Sequence, residues 1–392
     1  MRVFLSAGEP SGDLHGANLA VALRERIPHL ELVGFGGPRM AAAGVNLLYP
    51  LTELAVMWLG RVLANLPTFL RLGAKAESYF RTQRPDAVVL IDYPGFNFHM
   101  AQRAHRYGIP VYYFVPPQLW AWRGSRVKKV RKYFAAVLTA LPFEEDWYRS
   151  RGVRTHYVGH PYFDEIASQQ LDPAFLAEQR AKPGEIVALL PGSRTQEVTG
   201  NGPLLVKAAE RIAAARPGTR FLVAAFKEKQ AALMREMLTG HSLPVEVHVG
   251  RTPEIIELCR CCVAVSGSVG LELLARRKPT AVVYRVGRLL RFLADRLKTC
   301  EYISLTNLLA GEELYPEFAG TADYSGPVAA TVLRWLTDDA ARNELVAKLD
   351  ALCAKVAIPG AVARAAEFLT GEIVLSPSPL GERGNVSAAS GI

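Results

Sequence analysis

The sequence predicts an α/β protein: two Rossmann-like, doubly wound parallel-sheet domains followed by a C-terminal helical segment. Three observations carry the α/β prediction. Apolar, β-rich runs recur along the chain, longer helical runs separate them, and the alternation restarts midway. Uninterrupted apolar strands spaced by helices belong to parallel sheets covered on both faces. Length agrees, because 392 residues exceed what one core usually fills and suit two domains of roughly 150–200 residues.

In chain order, "RVFLSA" opens the first sheet and a helix runs through about Ile27. "LELVGFGG" follows, then helices from Met40 to about Phe80, "DAVVLIDYP", and a helix near Asn97–Tyr107. "PVYYFV", a basic helix from Arg123 to Lys132 and "AAVLTAL" complete a first domain expected over 1–180. After a polar stretch around Gln169–Gly184, "EIVALLPGSR" runs into a glycine turn and a helix to about Ala215. "TRFLVAAF", "VEVHVG", "CCVAVSGSVGLELLA" and "PTAVVYRV" then build a second domain over 185–335. Ligands of doubly wound sheets bind at the carboxyl ends of the strands, so both sets of strand-end loops are expected to face an interdomain cleft. Residues 336–370 read as closing helices, and 371–392 as a tail of turn and disorder composition.

Half the residues are apolar and 21% charged, the balance of a soluble globular enzyme. A formal charge of +9 favours anionic partners, whether nucleic acid, anionic lipid or sugar phosphate. Cys259, Cys261, Cys262, Cys300 and Cys353 are odd in number, and three of them crowd one apolar run without C-x-x-C spacing. That pattern predicts reduced thiols in a cytosolic protein and no zinc site. Nothing ahead of the first strand resembles a signal peptide, so export is not expected. The greasy stretch Leu51–Ala74 is broken by Arg61, Pro67 and Arg71, which disfavours a spanning helix.

Candidate chemistry sits at strand ends. The loop Ser6–Ala17, "SAGEPSGDLHGA", joins a first strand to a helix, the geometry that aims backbone N–H groups at an anion. It lacks P-loop and G-x-G-x-x-G spacing and places Glu9 and Asp13 where a phosphate would approach. Asp92 ends the strand "VVLID" and is either a general base beside an apolar wall or a helix cap. With Glu9 and Asp13 it gives three candidate carboxylates on one rim, and His15 is a secondary candidate. In the second half, Gly192, Ser193 and Arg194 read as a pyrophosphate cradle or as a tight turn with a solvated Arg. Ser266, Gly267 and Ser268 repeat that geometry. Glu272 either accepts a ribose diol or complements a helix dipole. Trp120 and Trp122 precede Arg123, Arg126, Lys128, Lys129, Arg131 and Lys132, a pattern shared by solvated helices, nucleic-acid sites and membrane surfaces. No nucleic-acid module accompanies it. A second basic amphipathic run, Gly287–Lys298, and the region around Trp58 favour reversible contact with a membrane.

Taken together, "AGEPSGDLHGA", "GFGGPRM", "ELAVMWLG", "IDYPGFN", "LWAWR", "LPFE", "GHP", "LLPGSR", "SGSVGLELL" and "YISLTNLLAG" resemble the lipid-A-disaccharide synthase family, in its order and across residues 1 to about 315. The resemblance implies a GT-B inverting glycosyltransferase that needs neither catalytic metal nor cofactor. The implied donor is UDP-2,3-diacylglucosamine and the implied acceptor 2,3-diacylglucosamine 1-phosphate. By the same resemblance the Ser6–Ala17 loop lies on the acceptor side, and Asp92 is the base that deprotonates the acceptor 6-hydroxyl. Arg194 and the turn at Gly192 stabilise the departing UDP, Glu272 holds the ribose and Asn307 lines the donor side. Arg123, Arg126 and Lys128 are the expected partners of the acceptor phosphate or of the membrane, and Leu51–Ala74 the shelter of acyl chains. The implied setting is the cytoplasmic leaflet of the inner membrane, bound peripherally, with no nucleic acid as partner and a homodimer left open.

One departure matters: the family usually reads P-D-F-N where this chain has Pro94-Gly95-Phe96-Asn97, leaving Asp92 the only acid there. Three alternatives stand beside this reading. They are a UDP-sugar epimerase or hydrolase of the same fold, a glycosyltransferase acting on another lipid-linked sugar, and a non-enzymatic nucleic-acid or membrane-binding protein.

Overall fold

Strand-forming runs that are apolar on both faces become the interiors of two parallel sheets in the computed structural model, which describes residues 1–55, 66–121, 124–285 and 301–375. The chain divides into two compact units. One comprises Met1–Pro161 with the segment from Pro359 onward, and the other Tyr162–Ile358.

In the first unit, β1 (Arg2–Ala7), β2 (Glu31–Phe35), β3 (Asn46–Tyr49), β4 (Ala87–Ile91), β5 (Val111–Phe114), β6 (Ala136–Thr139) and β7 (Thr155–Tyr157) pair in the order β3-β2-β1-β4-β5-β6-β7. Every described pairing is parallel. Alternation of side chains along β1 explains why the run must be apolar throughout. Val3, Leu5 and Ala7 join Leu19, Leu23, Ala365 and Leu369 on one face, while Phe4 joins Phe35, Phe80, Leu90 and Tyr113 on the other.

The second unit repeats the plan with β8 (Ile186–Leu190), β9 (Arg220–Ala225), β10 (Val245–Val249), β11 (Cys261–Val265), β12 (Thr280–Arg285) and β13 (Glu317–Gly320), in the order β10-β9-β8-β11-β12-β13. The order reverses beside β1 in the first sheet and beside β8 in the second. Those switch points are where strand-end loops diverge and leave room for a ligand.

Three described strands were not expected. β3 interrupts the region read as helical from Met40 to Phe80, and β7 and β13 are short edge strands. The closing helices divide at a break around Ala357–Gly360: Asp339–Val356 belongs to the second unit and Ala361–Leu375 to the first. That last helix extends five residues into the stretch expected as tail, because Ile373 still packs in the core of the first unit. Residues 376–392 lie outside the described residues. No described helix is long and apolar enough to cross a membrane.

Candidate active site

At the carboxyl end of β4 the backbone turns left-handed twice in succession, at Asp92 (φ 45°) and Tyr93 (φ 50°), and Val115 after β5 does the same (φ 53°). Such conformations cost roughly 1–3 kcal/mol each in non-glycine residues and persist only where the surroundings enforce them. Asn97 is the enforcer. Fully buried in the helix Pro94–Arg106, its Nδ2 donates to the carbonyls of Asp92 (2.7 Å), Ile91 (3.1 Å) and Ser6 (3.4 Å), while its Oδ1 accepts from Ser6 Oγ (2.8 Å). The Tyr113 hydroxyl adds a second donor to the Asp92 carbonyl at 3.0 Å. These bonds tie the ends of β1 and β4 together and hold Asp92 part-exposed at the sheet's carboxyl edge.

Tyr93 leans on the first loop. A side chain at Gly8 would place its Cβ 2.2 Å from Tyr93 Cδ1, so only glycine lets the ring settle there. Burial, and behind it the Glu9 carboxylate, pushes the Tyr93 phenol up. Glu9 itself is part-buried at the start of the helix Pro10–Arg26, on the same rim as Asp92.

Asp13, expected as a third candidate carboxylate, is engaged by the chain's own backbone. Its Oδ1 accepts from the backbone N–H of Gly37 (2.7 Å) and Met40 (3.0 Å), and its Oδ2 from Arg39 N–H (3.0 Å). The start of the short helix Pro38–Ala42 has N–H groups with no partner inside the helix, and the buried Asp13 supplies the acceptor. Asp13 therefore fastens "GFGGPRM" to the first loop, a positioning job. His15 is also buried, its ring perpendicular to that of His160 at 6.2 Å between centroids. Burial, with His15 alongside, pushes His160 down to about 3.

Two motifs quoted above meet in the first unit. Glu144 of "LPFE" is buried, and its Oε2 accepts from the backbone of Ala140 (3.2 Å) and Leu141 (3.1 Å). Its Oε1 accepts from Trp120 Nε1 of "LWAWR" at 2.9 Å. Burial lifts the Glu144 carboxyl to about 7 despite those three donors. Beyond Trp120, Trp122 and Arg123 lie outside the described residues, as do Trp58, the run Gly287–Lys298 and Cys300. Arg126 is half-buried with its guanidinium carbon 5.9 Å from the Phe98 ring centroid, whereas Lys128 is exposed on the helix Val127–Tyr133.

In the second unit, the turn after β8 is shaped by Gly192, at φ 103° and with a would-be Cβ 2.6 Å from Glu197. Ser193 N–H (2.9 Å) and Arg194 N–H (3.1 Å) donate to Glu197 Oε2, and the Arg194 guanidinium lies 3.3 Å from Glu197 Oε1. The donors at the start of the helix Thr195–Ala215 thus already hold an anionic oxygen, one supplied by the chain itself. The Arg194 side chain is 71% exposed, held by its contact with Glu197.

After β11, Gly267 and Ser268 are exposed, while Ser266 Oγ donates to the Ile303 carbonyl at 3.0 Å. Glu272 is buried in the helix Val269–Ala275. It accepts from the Tyr162 hydroxyl (3.2 Å) and faces Arg276 Nε (3.3 Å), and burial pushes its carboxyl up. Asn307, expected on the donor side, is likewise engaged within the chain. Completely buried, its Nδ2 donates to the Tyr315 carbonyl (2.7 Å) and Glu317 Oε1 (2.9 Å), and its Oδ1 accepts from Leu314 N–H (3.0 Å) and Tyr315 N–H (2.8 Å). All four positions of the amide are used within the chain, so Asn307 shapes the segment from Leu314 to Glu317.

Asn97, Glu197 and Glu144 had no assigned role in the sequence reading. Glu197 and Glu144 each stand three residues after the cap position that precedes a helix, Arg194 and Leu141, and that spacing is the signal that finds them. For Asn97 the signal is weaker, a polar residue within the apolar face of a helix that follows a strand end.

Comparison with known proteins agrees with the geometry. The family model described as lipid-A-disaccharide synthetase matches residues 3–354. The lipid-A-disaccharide synthase of Thiobacillus denitrificans is 38% identical over 346 residues, covering 88% of this chain and 93% of that protein. That of Azotobacter vinelandii is 41% identical over 321 residues, covering 81% and 84%. Among solved structures, the UDP-GlcNAc 2-epimerase of Neisseria meningitidis bound to UDP-GlcNAc superposes with a TM-score of 0.63 at 12% identity, covering 96% and 100%. The calicheamicin glycosyltransferase CalG4 gives 0.60 at 14% identity, covering 95% and 98%. These likenesses show the GT-B fold, and the family match reaches further: the chain belongs to the lipid-A-disaccharide synthetase family of glycosyltransferases.

Proposed function

We propose that the protein transfers a 2,3-diacylglucosaminyl group from UDP to the 6-hydroxyl of 2,3-diacylglucosamine 1-phosphate, with inversion at the anomeric carbon. The observation that carries this reading is the strained end of β4, where Asp92 is fixed in a left-handed turn by Asn97 and Tyr113. Strain of that kind concentrates at functional sites. Asp92 takes the proton of the acceptor hydroxyl as its oxygen bonds to the anomeric carbon, and the bond from that carbon to the UDP phosphate breaks. Glu9 and the Tyr93 phenol, on the same rim, orient the sugar hydroxyls.

On the donor side, Gly192–Arg194 and the exposed turn Ser266–Ser268 are the phosphate contacts. The Ser193 and Arg194 N–H groups pass from Glu197 to the diphosphate on binding, and the exposed Arg194 guanidinium stabilises the charge of the leaving UDP. Glu272 lies near enough in sequence to contribute to the ribose, through an oxygen it now shares with Tyr162. The acceptor phosphate draws on Arg126, Lys128 and Arg123, the Leu51–Ala74 region takes the acyl chains, and the chain rests peripherally on the cytoplasmic leaflet of the inner membrane. Support for that contact comes from Leu66 and Leu70, 50% and 60% exposed, and from the exposed cations of the helix Val127–Tyr133.

The test is UDP release from UDP-diacylglucosamine in detergent, with and without the diacylglucosamine 1-phosphate acceptor, for the wild type and for Asp92→Asn. Release that requires acceptor and yields the disaccharide mass is the expected result, with Asp92→Asn folded, able to bind donor and slowed about 10²–10⁴-fold. Release without acceptor would replace the transferase by a hydrolase or an epimerase-like enzyme. Near-normal turnover by Asp92→Asn would remove Asp92 from the chemistry.

A further inference from the structure

Among the described phenylalanine, tyrosine and tryptophan residues, Phe226 stands out as the exposed one, with 55% of its surface open. It follows directly on β9, whose last residue Ala225 is paired with Val249 of β10, and Gly250 N–H donates to the Ala225 carbonyl at 3.1 Å. On the other side β9 pairs in parallel with β8, Val223 opposite Leu189. Phe226 therefore leaves β9 at the carboxyl edge of the sheet, where the segments following its neighbours β8 and β10 also begin. Gly250, bonded to Ala225, has no side chain to cover the ring, and a Cβ there would meet nothing within 4 Å. The Lys227 ammonium lies 5.6 Å from the ring centroid.

A large apolar ring in water at a sheet edge is unfavourable unless something flat covers it in use. Here it stands beside the turn that carries Ser193 and Arg194, at the edge where doubly wound sheets take their ligands. The donor proposed above brings a planar, uncharged pyrimidine attached to a diphosphate, which matches an exposed ring next to N–H donors and a guanidinium. We infer that Phe226 is the stacking platform for the nucleobase of the donor, with Lys227 beside it facing the phosphates. This inference rests on the UDP-sugar reading and assigns it a specificity-determining residue.

The experiment measures binding of UDP and of inorganic pyrophosphate, by titration calorimetry, to the wild type, Phe226→Ala, Phe226→Trp and Arg194→Ala. The expected result is a UDP dissociation constant raised about tenfold in Phe226→Ala with pyrophosphate affinity unchanged, because base–aromatic stacking is lost while the phosphate contacts stay. Phe226→Trp should retain UDP affinity, with more quenching of tryptophan fluorescence on UDP addition than the wild type shows. Arg194→Ala should weaken both ligands. UDP affinity in Phe226→Ala within twofold of the wild type, while Arg194→Ala weakens UDP, would overturn the role of Phe226 and leave the donor reading standing. A wild type that binds no UDP would overturn both.

Discussion

Four acidic residues singled out by sequence or structure serve four different ends, and the neighbours of each decide which. Asp13 spends both oxygens on three backbone N–H groups, Glu272 shares its oxygens with Tyr162 and Arg276, and Glu144 gathers an indole and two amides. Asp92 differs, since it is the backbone around it that is held, leaving the residue part-exposed on a left-handed turn. Sequence put Asp13, Asp92 and Glu272 in segments that follow strands and gave Glu144 no role. It could not separate them, because the separating partners, Gly37, Met40, Trp120 and Tyr162, are 20 or more residues away in the chain. Glu144 supplies a test of its burial. Its carboxyl rises from an ordinary 4.5 to about 7 on folding, so the folded chain binds the proton more tightly than the unfolded chain between those values. Stability is therefore highest below pH 4.5 as far as this group is concerned, and it falls as pH rises toward 7, by roughly 3 kcal/mol at most. Thermal denaturation followed between pH 5 and 7.5 should show a steeper decline for the wild type than for Glu144→Gln; equal slopes would mean that Glu144 does not titrate there.

At the scale of elements, the strands that sequence finds are those with apolar neighbours on both faces, such as β1, β4, β8 and β11. β3, β7 and β13 escape because an edge strand is short and half-covered, so its residues lose the apolar run that marks the others. Register brings Ser6 opposite Leu90 and so carries the loop holding Glu9 and the turn holding Asp92 together, a fact of tertiary pairing that no local pattern contains. The helix Ala361–Leu375 is visible as a helix but not as a part of the first unit. Its assignment rests on Ala365, Ala366, Leu369 and Ile373, buried against Leu19 and Leu23, on Arg364 donating to the Val158 carbonyl at 2.8 Å, and on a two-pronged pair between Glu372 and Arg154 at 2.6 and 2.7 Å. Packing should outweigh charge here, since Arg154 is 58% exposed. Leu369→Ala is expected to lower unfolding stability by about 2–5 kcal/mol and Glu372→Ala by about 1 kcal/mol or less, measured by urea denaturation. The reverse order would assign the anchoring to the ion pair.

For the whole molecule, a charge of +9 was legible from composition, while its destination was not, since anionic lipid, nucleic acid and sugar phosphate all attract it. Exposed Lys128, Lys129, Arg131 and Lys132 on one short helix, and the exposed leucines at 66 and 70, give that charge a setting that suits a lipid surface. Sedimentation with vesicles should show binding to anionic but not neutral lipid at about 0.1 M salt and release at about 0.5 M, because screening shortens the reach of each cation. A Lys128→Glu, Lys129→Glu pair should reduce it, and binding indifferent to both salt and lipid charge would exclude this mode of attachment. The position of the last helix bears on how the protein is made. A ribosome delivers residues 1–161 first, yet the face of Leu19 and Leu23 finds its cover only when residues 361–375 emerge, after the entire unit Tyr162–Ile358. The amino-terminal half must therefore wait with an apolar stripe open to solvent or to a chaperone, so that its folding finishes last although its synthesis begins first.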